Sequence, residues 1–382
     1  MNIVVNTQLL LKNKLEGLGW FTYETLKRIT AAHPEHTFYF IFDRPYDFDF
    51  IFGPNVKPVI MRPASRHPLL WYLRFEILLP RLLRKLGADV YLSPDGWSTL
   101  GTSLPCVQVI HDINYEHYPA NVPFAIRHYF KYFFPRYARK AQIVATVSEY
   151  SKQDIMKTYG LPENKIQVIY NGCNEAYRPL DEDTNTLTRL NCTGGKPYFL
   201  YVGALLPRKN ISRLFEAFDV FKQTDKQDIK LVIVGEKMWW TKEIARSFEN
   251  MQYRDDVIFL GRLETEHLCK VYSAALALSF VPYFEGFGIP IIEAFSCGVP
   301  VITSNCTSMP EIAADAALLV NPFDVEEIAA AMGRIATDNA LRAQLVEKGY
   351  VRRQDFSWDK TAAALWACVI NALQKDVIRQ DG

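Results

Sequence analysis

The sequence predicts an α/β protein of two doubly wound, Rossmann-like domains that face one another across a cleft. Three observations carry this prediction. At 382 residues the chain is too long for one ordinary core. Short apolar runs alternate with helical patterns in both halves, the rhythm of parallel sheets. Glycine-rich or charged turns follow several of these runs, at the strand ends where such sheets hold ligands.

In the first half, strands are expected at 3–5, 38–42, 57–60, 106–110, 143–147 and 166–171. Helices are expected from Trp20 to about residue 32 and over 148–159, the latter with a capping box of Ser151 and Asp154. The polar stretch 176–196, with DEDTNT and Gly194-Gly195, reads as a linker. The βα rhythm then resumes with strands at 198–202, 231–234, 257–260, 277–281, 299–303 and 317–320. Helical segments follow from Val325 to about residue 374, with Ser357 as N-cap of the last.

Hydrophobic residues make up 49% and charged residues 22%, which excludes a disordered chain. No apolar run approaches the roughly 18 to 20 residues of a membrane span, and the start, MNIVVNTQLLLKNK, lacks the basic opening of an export signal. A cytoplasmic protein is expected. Seven cysteines without a C-x-x-C pair read as reduced thiols, and no H-E-x-x-H occurs among the histidines, so no metal site is expected. Asp47-x-Asp49 has the form of a metal-binding D-x-D, but its aromatic neighbours fit an exposed turn or edge strand better.

The functional signal is concentrated in residues 280–300, FVPYFEGFGIPIIEAFSCGVP. The apolar run 274–281 reads as a buried strand that turns directly into a helix at 289–296, with Pro290 in its first turn and Gly298 past its end. Glu285 falls on the turn and Glu293 on the helix. Gly286 and Gly288 remove side chains where backbone N–H groups and the positive end of the helix dipole favour an anion. A carboxylate accepts two hydrogen bonds from a vicinal diol, so two carboxylates flanking an anion-binding turn suit a nucleotide sugar. By spacing alone, an ordinary βα turn with one capping Glu fits equally well. Arg208 and Lys209, in the loop opened by Gly203, can neutralise a diphosphate. Gly17 and Gly19, before the first helix, stand where a doubly wound domain brings backbone close to phosphate. His111 stands at the carboxyl end of the run 106–110.

The string Glu285, Gly286, Phe287, Gly288, Ile289, Pro290, Glu293, Ala294, Gly298, Pro300 and Val301 resembles the E-x7-E signature of glycosyltransferase family 4, the retaining enzymes of the GT-B fold. The likeness is clear over 198–325 and weaker in the N-terminal half. It implies transfer of a hexosyl unit from a nucleoside diphosphate sugar to a hydroxyl, with retention and without metal. By this resemblance Glu293 holds the ribose diol, Glu285 the donor sugar, and Arg208 and Lys209 the pyrophosphate. Amides near Phe287, Gly288 and Ile289 meet sugar or phosphate, and Gly261 and Arg262 lie where the family reads the base. Gly17 and Gly19 face donor diphosphate and acceptor, and His111 is the active-site histidine. The last helix, 357–382, then joins the acceptor-side domain 1–175, leaving 197–356 as the donor domain. The GLG turn and the His111-Asp112 loop look most like the branch acting on bacterial polysaccharide or lipopolysaccharide intermediates, often with GDP-mannose. The partners implied are a GDP- or UDP-sugar and a glycan or lipid-linked acceptor.

Two further stretches are basic and aromatic. Residues 62–140 hold eleven Lys or Arg against five Asp or Glu. Within 69–86, Trp71, Phe75, Leu78 and Leu82 recur at helical spacing beside Arg74, Arg81, Arg84 and Lys85; within 124–140, five basic residues accompany Tyr129, Phe130, Phe133 and Phe134. They fit half-buried packing helices or a peripheral contact with an anionic membrane. No nucleic-acid motif accompanies them. A nucleotide-sugar epimerase or hydrolase on the same fold, or a non-catalytic membrane-docking scaffold, are the rival functions.

Overall fold

The structure, a computed structural model, describes residues 1–64, 67–224, 227–236 and 240–380. It divides into two compact units. The first holds Met1–Asn171 and the described residues from Ser357 on, and the second holds Gly172–Phe356.

The first unit is built on a seven-stranded parallel sheet: β1 Asn2–Asn6, β2 Thr37–Phe42, β3 Val56–Ile60, β4 Val90–Ser93, β5 Cys106–Val109, β6 Ile143–Thr146 and β7 Ile166–Val168. Their order is β3-β2-β1-β4-β5-β6-β7, so the winding reverses between β1 and β4. Val4 pairs with Tyr91 across that reversal. β4, β5 and β6 are buried along their whole length, as strands covered on both faces must be. β4 has no counterpart among the expected strands. It is four residues long, too short for a period to show, and it stands at the reversal.

Helices cover this sheet. The helix Gly17–Ala32 begins three residues earlier than expected, Trp20 N–H already bonding Glu16 C=O at 2.8 Å. The segment 69–86 is not one helix but Pro68–Tyr72, a π-helical turn Leu73–Leu78, and Leu79–Lys85. The wider turn changes which residues face inward. Arg74, expected to add surface charge, is fully buried, with Nη1 donating to Met61 C=O. The helix Glu149–Tyr159 is capped by Ser148, whose Oγ accepts from Ser151 N–H at 3.0 Å, rather than by a box of Ser151 and Asp154. Asp154 instead accepts from His117 at 2.8 Å.

The helix Trp358–Gln380 returns to this unit. Ser357 Oγ accepts from Asp359 N–H at 3.2 Å, an N-cap. Thr361 Oγ1 donates to Tyr170 C=O at 2.6 Å, and Trp358, 4% exposed, meets the Phe21 ring edge-on at 6.3 Å.

The second unit has a six-stranded parallel sheet: β8 Tyr198–Val202, β9 Lys230–Val234, β10 Val257–Gly261, β11 Ala277–Phe280, β12 Val301–Ser304 and β13 Ala317–Val320. Its order is β10-β9-β8-β11-β12-β13, with the reversal between β8 and β11. The stretch expected as a linker contains the helix Glu182–Thr193. Asp181 caps it through Thr184 N–H at 2.8 Å, Gly194 ends it in the left-handed conformation, and Asn185, Thr188 and Thr193 are buried. Its polarity belongs to a solvated helix face of the second unit.

Candidate active site

The reversal between β8 and β11 opens a crevice at their carboxyl ends, the place where doubly wound sheets take ligands. The loop after β8 carries Arg208 and Lys209, and the loop after β11 carries Glu285. Arg208 Nη1 lies 2.6 Å and Lys209 Nζ 3.3 Å from Glu285 Oε1. Burial pushes the Glu285 carboxyl up, but Arg208 and Lys209 outweigh it and hold the group below its usual range. Arg208 also donates to Phe284 C=O at 3.1 Å, and Lys209 Nζ lies 5.1 Å from the centre of the Phe280 ring.

This loop is fixed by a residue absent from the candidates. Asn210, 3% exposed and left-handed at φ 62°, donates through Nδ2 to Val281 C=O at 3.0 Å and Pro322 C=O at 2.6 Å. It ties the loop after β8 to the end of β11. The dipeptide Lys209-Asn210 was the available signal, since Asn tolerates left-handed backbone best among non-glycines.

Glu293 lies on the helix Ile289–Ser296, whose N-cap is Gly288. Tyr272 Oη donates to Glu293 Oε2 at 2.8 Å. Burial raises the Glu293 carboxyl from 4.5 to about 7, against the opposing pull of Tyr272, Tyr177 and the Lys209 charge. Gly288 has φ 96°, and a Cβ there would come within 2.7 Å of Met309 Cε. Only glycine brings the turn into this helix so tightly. Phe287 places its ring in the core, edge-on to Phe356 at 5.5 Å, so its contribution to a ligand is through backbone. Ile289 is the first residue of the helix.

Gly203 and Gly261 end β8 and β10, and Gly235, which the sequence reading omitted, ends β9 between them. Gly203 N–H donates to Val234 C=O at 2.9 Å and Gly235 N–H to Gly261 C=O at 2.8 Å. A Cβ on Gly235 would lie 2.0 Å from Gly203 O. The repeated Val-Gly at 202–203 and 234–235 was its signal. Arg262 is exposed at the end of β10.

The other candidates lie in the first unit. His111 Nε2 is 2.9 Å from Pro94 O, and its ring meets Phe21 edge-on at 4.8 Å. A carbonyl only accepts, so Nε2 carries the hydrogen and Nδ1 is the acceptor of the neutral ring. Burial holds the imidazole below its usual range, which keeps it neutral at pH 7. Gly17 and Gly19 sit inside the first helical turn rather than before it. A Cβ on Gly19 would lie 3.1 Å from Leu9 O, so this glycine lets the loop after β1 fold over the helix. Asp47 and Asp49 are engaged by Lys12 at 2.7 and 3.4 Å, and Asp47 caps the turn Phe48–Phe50.

Two parallel-sheet units, with paired carboxylates and two cations at the reversal of the second, define a GT-B glycosyltransferase. Residues 15–177 match the family described as Glycosyltransferase Family 4, and residues 185–352 match Glycosyl transferases group 1. The chain belongs to glycosyltransferase family 4. It is similar to the O-antigen chain mannosyltransferase B of Escherichia coli, 29% identical over 94% of this chain and 97% of that one. It is also similar to the O-antigen chain mannosyltransferase RfbU of Salmonella typhimurium, 30% identical over 82% and 83%. The sucrose-phosphate synthase of Thermosynechococcus elongatus shares the fold, with a TM-score of 0.76 and 21% identity over 95% of this chain and 96% of that chain.

Proposed function

We propose that the protein transfers a mannosyl unit from a nucleoside diphosphate sugar to a hydroxyl of a glycan or lipid-linked acceptor in bacterial polysaccharide synthesis, with retention and without metal. The observation that carries this is the cluster of Glu285 with Arg208 and Lys209 at the reversal of the second sheet. Its cations are placed for a diphosphate and its carboxylate for sugar hydroxyls. Glu293 takes the ribose diol. Preorganised positive charge on the departing diphosphate then supplies the largest share of the rate. The mannosyl assignment draws on the two mannosyltransferases that the chain resembles over most of its length.

The test is calorimetric titration with GDP, UDP, ADP and their sugars, with and without Mg²⁺ and with Glu293→Ala as control. Metal-independent binding of one nucleotide, lost in the variant, is the expected outcome. Binding of none returns the scaffold reading.

A peripheral membrane contact is proposed beside this activity. The helix Phe124–Lys140 exposes Phe124 at 69% and Tyr132 at 52%, Leu69 is 73% exposed, and Lys131 and Arg136 are exposed as well, Lys131 with Glu116 at 3.4 Å. Arg136 covers the Tyr132 ring at 3.7 Å. Not every basic residue contributes: Lys140 donates to Leu100 C=O and Arg139 to Tyr159 C=O. Among the described residues no helix is long and apolar enough to cross a membrane.

A further inference from the structure

Two tyrosines with no role so far stand behind Glu293. Tyr272 lies on the helix Thr265–Ser273, is fully buried, and donates from Oη to Glu293 Oε2 at 2.8 Å. Tyr177, also buried, meets the Tyr272 ring edge-on at 5.6 Å and acts on the same carboxyl. Glu293 itself is only half-buried. Buried phenols thus back a carboxylate whose residue keeps an accessible surface. A phenol costs free energy to bury unless its hydrogen finds an acceptor, so phenylalanine would be the simpler filling at either position.

The hydroxyls change what Glu293 can do. A buried carboxylate tends to protonate, and a protonated carboxyl has turned one acceptor into a donor, so it no longer takes both hydrogens of a vicinal diol. A neutral O–H donor opposes this by favouring the ionised form. Burial raises the Glu293 carboxyl, and Tyr272, Tyr177 and the Lys209 charge pull it back. The other ionisable neighbours are thiols: burial pushes Cys173 up to about 12, and Cys297 is held up by its hydrogen bond with Cys269 and by burial. Burial holds both phenols up as well, so these four groups stay neutral through pH 9. Cys269, on the Tyr272 helix, is drawn down to about 6 by Cys297. We infer that Tyr272 is a positioning residue for nucleotide binding: with Tyr177 beside it, it keeps Glu293 an acceptor toward both hydroxyls of the ribose. The inference rests on the proposed role of Glu293 and adds what sets the pH at which that role is filled.

The experiment titrates the full chain, Tyr272→Phe and Tyr177→Phe with GDP, UDP and ADP by calorimetry between pH 6 and pH 9. The nucleotide's own ionisation is common to all three proteins, so the ratio of parent to variant affinity at each pH isolates the protein group. With the Glu293 carboxyl at about 7 in the parent and about one unit higher in Tyr272→Phe, the ratio is expected to be about tenfold at pH 6, about fivefold at pH 7 and within about twofold at pH 9. Tyr177→Phe should trace the same curve at smaller amplitude, an independent reading of the same carboxyl. In Glu293→Gln, adding Tyr272→Phe should give a ratio that does not vary with pH. A constant ratio in Tyr272→Phe itself marks a merely structural hydroxyl, and a ratio of one marks none; either overturns the inference and leaves glycosyl transfer standing. A pH-dependent ratio that persists in Glu293→Gln assigns the effect to another group, Cys269 first, and overturns it too. Failure of all three nucleotides to bind the parent protein removes the role of Glu293 and the inference with it.

Discussion

Glu285 holds the two cations that the diphosphate is proposed to need, so donor binding must exchange one partner for another. On the proposed function, phosphate oxygens would take Arg208 and Lys209 and release the carboxylate toward sugar hydroxyls. Glu285→Gln should therefore reduce transfer about a hundredfold while free nucleoside diphosphate binds as well as before or severalfold tighter. Parallel losses of turnover and nucleotide affinity would falsify this exchange. Glu293 behaves differently because its carboxyl ionises at about 7. If the ionised form holds the ribose diol as proposed, nucleotide affinity should climb from about pH 6 to about pH 8 and be flat across that range in Glu293→Gln. The unliganded protein moves the other way, since ionising a carboxyl whose folded value is raised costs stability as pH rises from 4.5 to about 7. His111, held below its usual range, acts in the opposite sense: it stays neutral in the folded protein while the unfolded chain protonates it, so stability falls as pH drops below the ordinary value of 6.5. His111→Ala should nearly abolish transfer with nucleotide affinity intact, and retained turnover would count against its role. Arg208, Lys209, Glu285 and His111 lie on loops after strands and Glu293 on a helix, as the βα rhythm of the sequence predicts, while the roles given them come from the family signature and are tested by these variants. Asn210 was not legible in the sequence, because an Asn in a charged loop is indistinguishable from any solvated turn until the fold brings Val281 and Pro322 beside it.

Length did not decide which elements were legible: the four-residue strands β5, β6 and β12 were read, and the longer helix Glu182–Thr193 was not. The helix Ile289–Ser296 carries Pro290 at its start and Gly298 past its end, and its bounds coincide with those read from the sequence. β4 has four residues, and it was missed although Gly87 and Gly96 bracket it and it lies at the reversal. The π turn Leu73–Leu78 could not be read either, because the apolar spacing around it still matches an ordinary helix. The polar helix Glu182–Thr193 was mistaken for a linker because its solvated face dominates its composition. At this scale the sharpest test is Gly235→Ala. A methyl group 2.0 Å from Gly203 O forces β8 and β9 apart at their carboxyl ends. The variant should lose about 3 kcal/mol or more in denaturant unfolding and bind nucleotide poorly, whereas Gly333→Ala, in a helix with nothing within 4 Å, should not be destabilised.

The two-domain architecture was the most legible feature, since repeated βα alternation survives errors in any single element. The return of the helix Trp358–Gln380 to the first unit has a local consequence there. Trp358 rests on Phe21, and Phe21 rests on the ring of His111. Trp358→Ala should lower stability by about 3 kcal/mol and depress turnover with nucleotide affinity unchanged, as read by thermal unfolding and calorimetry. The exposed basic and aromatic face of the same unit is tested by reversing charge at Lys131 and Arg136. Sedimentation with anionic liposomes should fall at least about fivefold, and unchanged binding would remove the membrane contact.

Because residues 172–356 interrupt the first unit, the part of the protein that leaves the ribosome first is among the last to be completed. Its seven strands are all synthesised by Val168, yet the helix that covers Phe21 follows only from Trp358. At about 5 to 20 residues per second, the nascent first unit carries an unfinished apolar face for roughly 10 to 40 s while the second unit is translated. Expression of this protein should accordingly be sensitive to translation speed and to chaperone supply, with the aggregating species a chain that already contains a folded second unit.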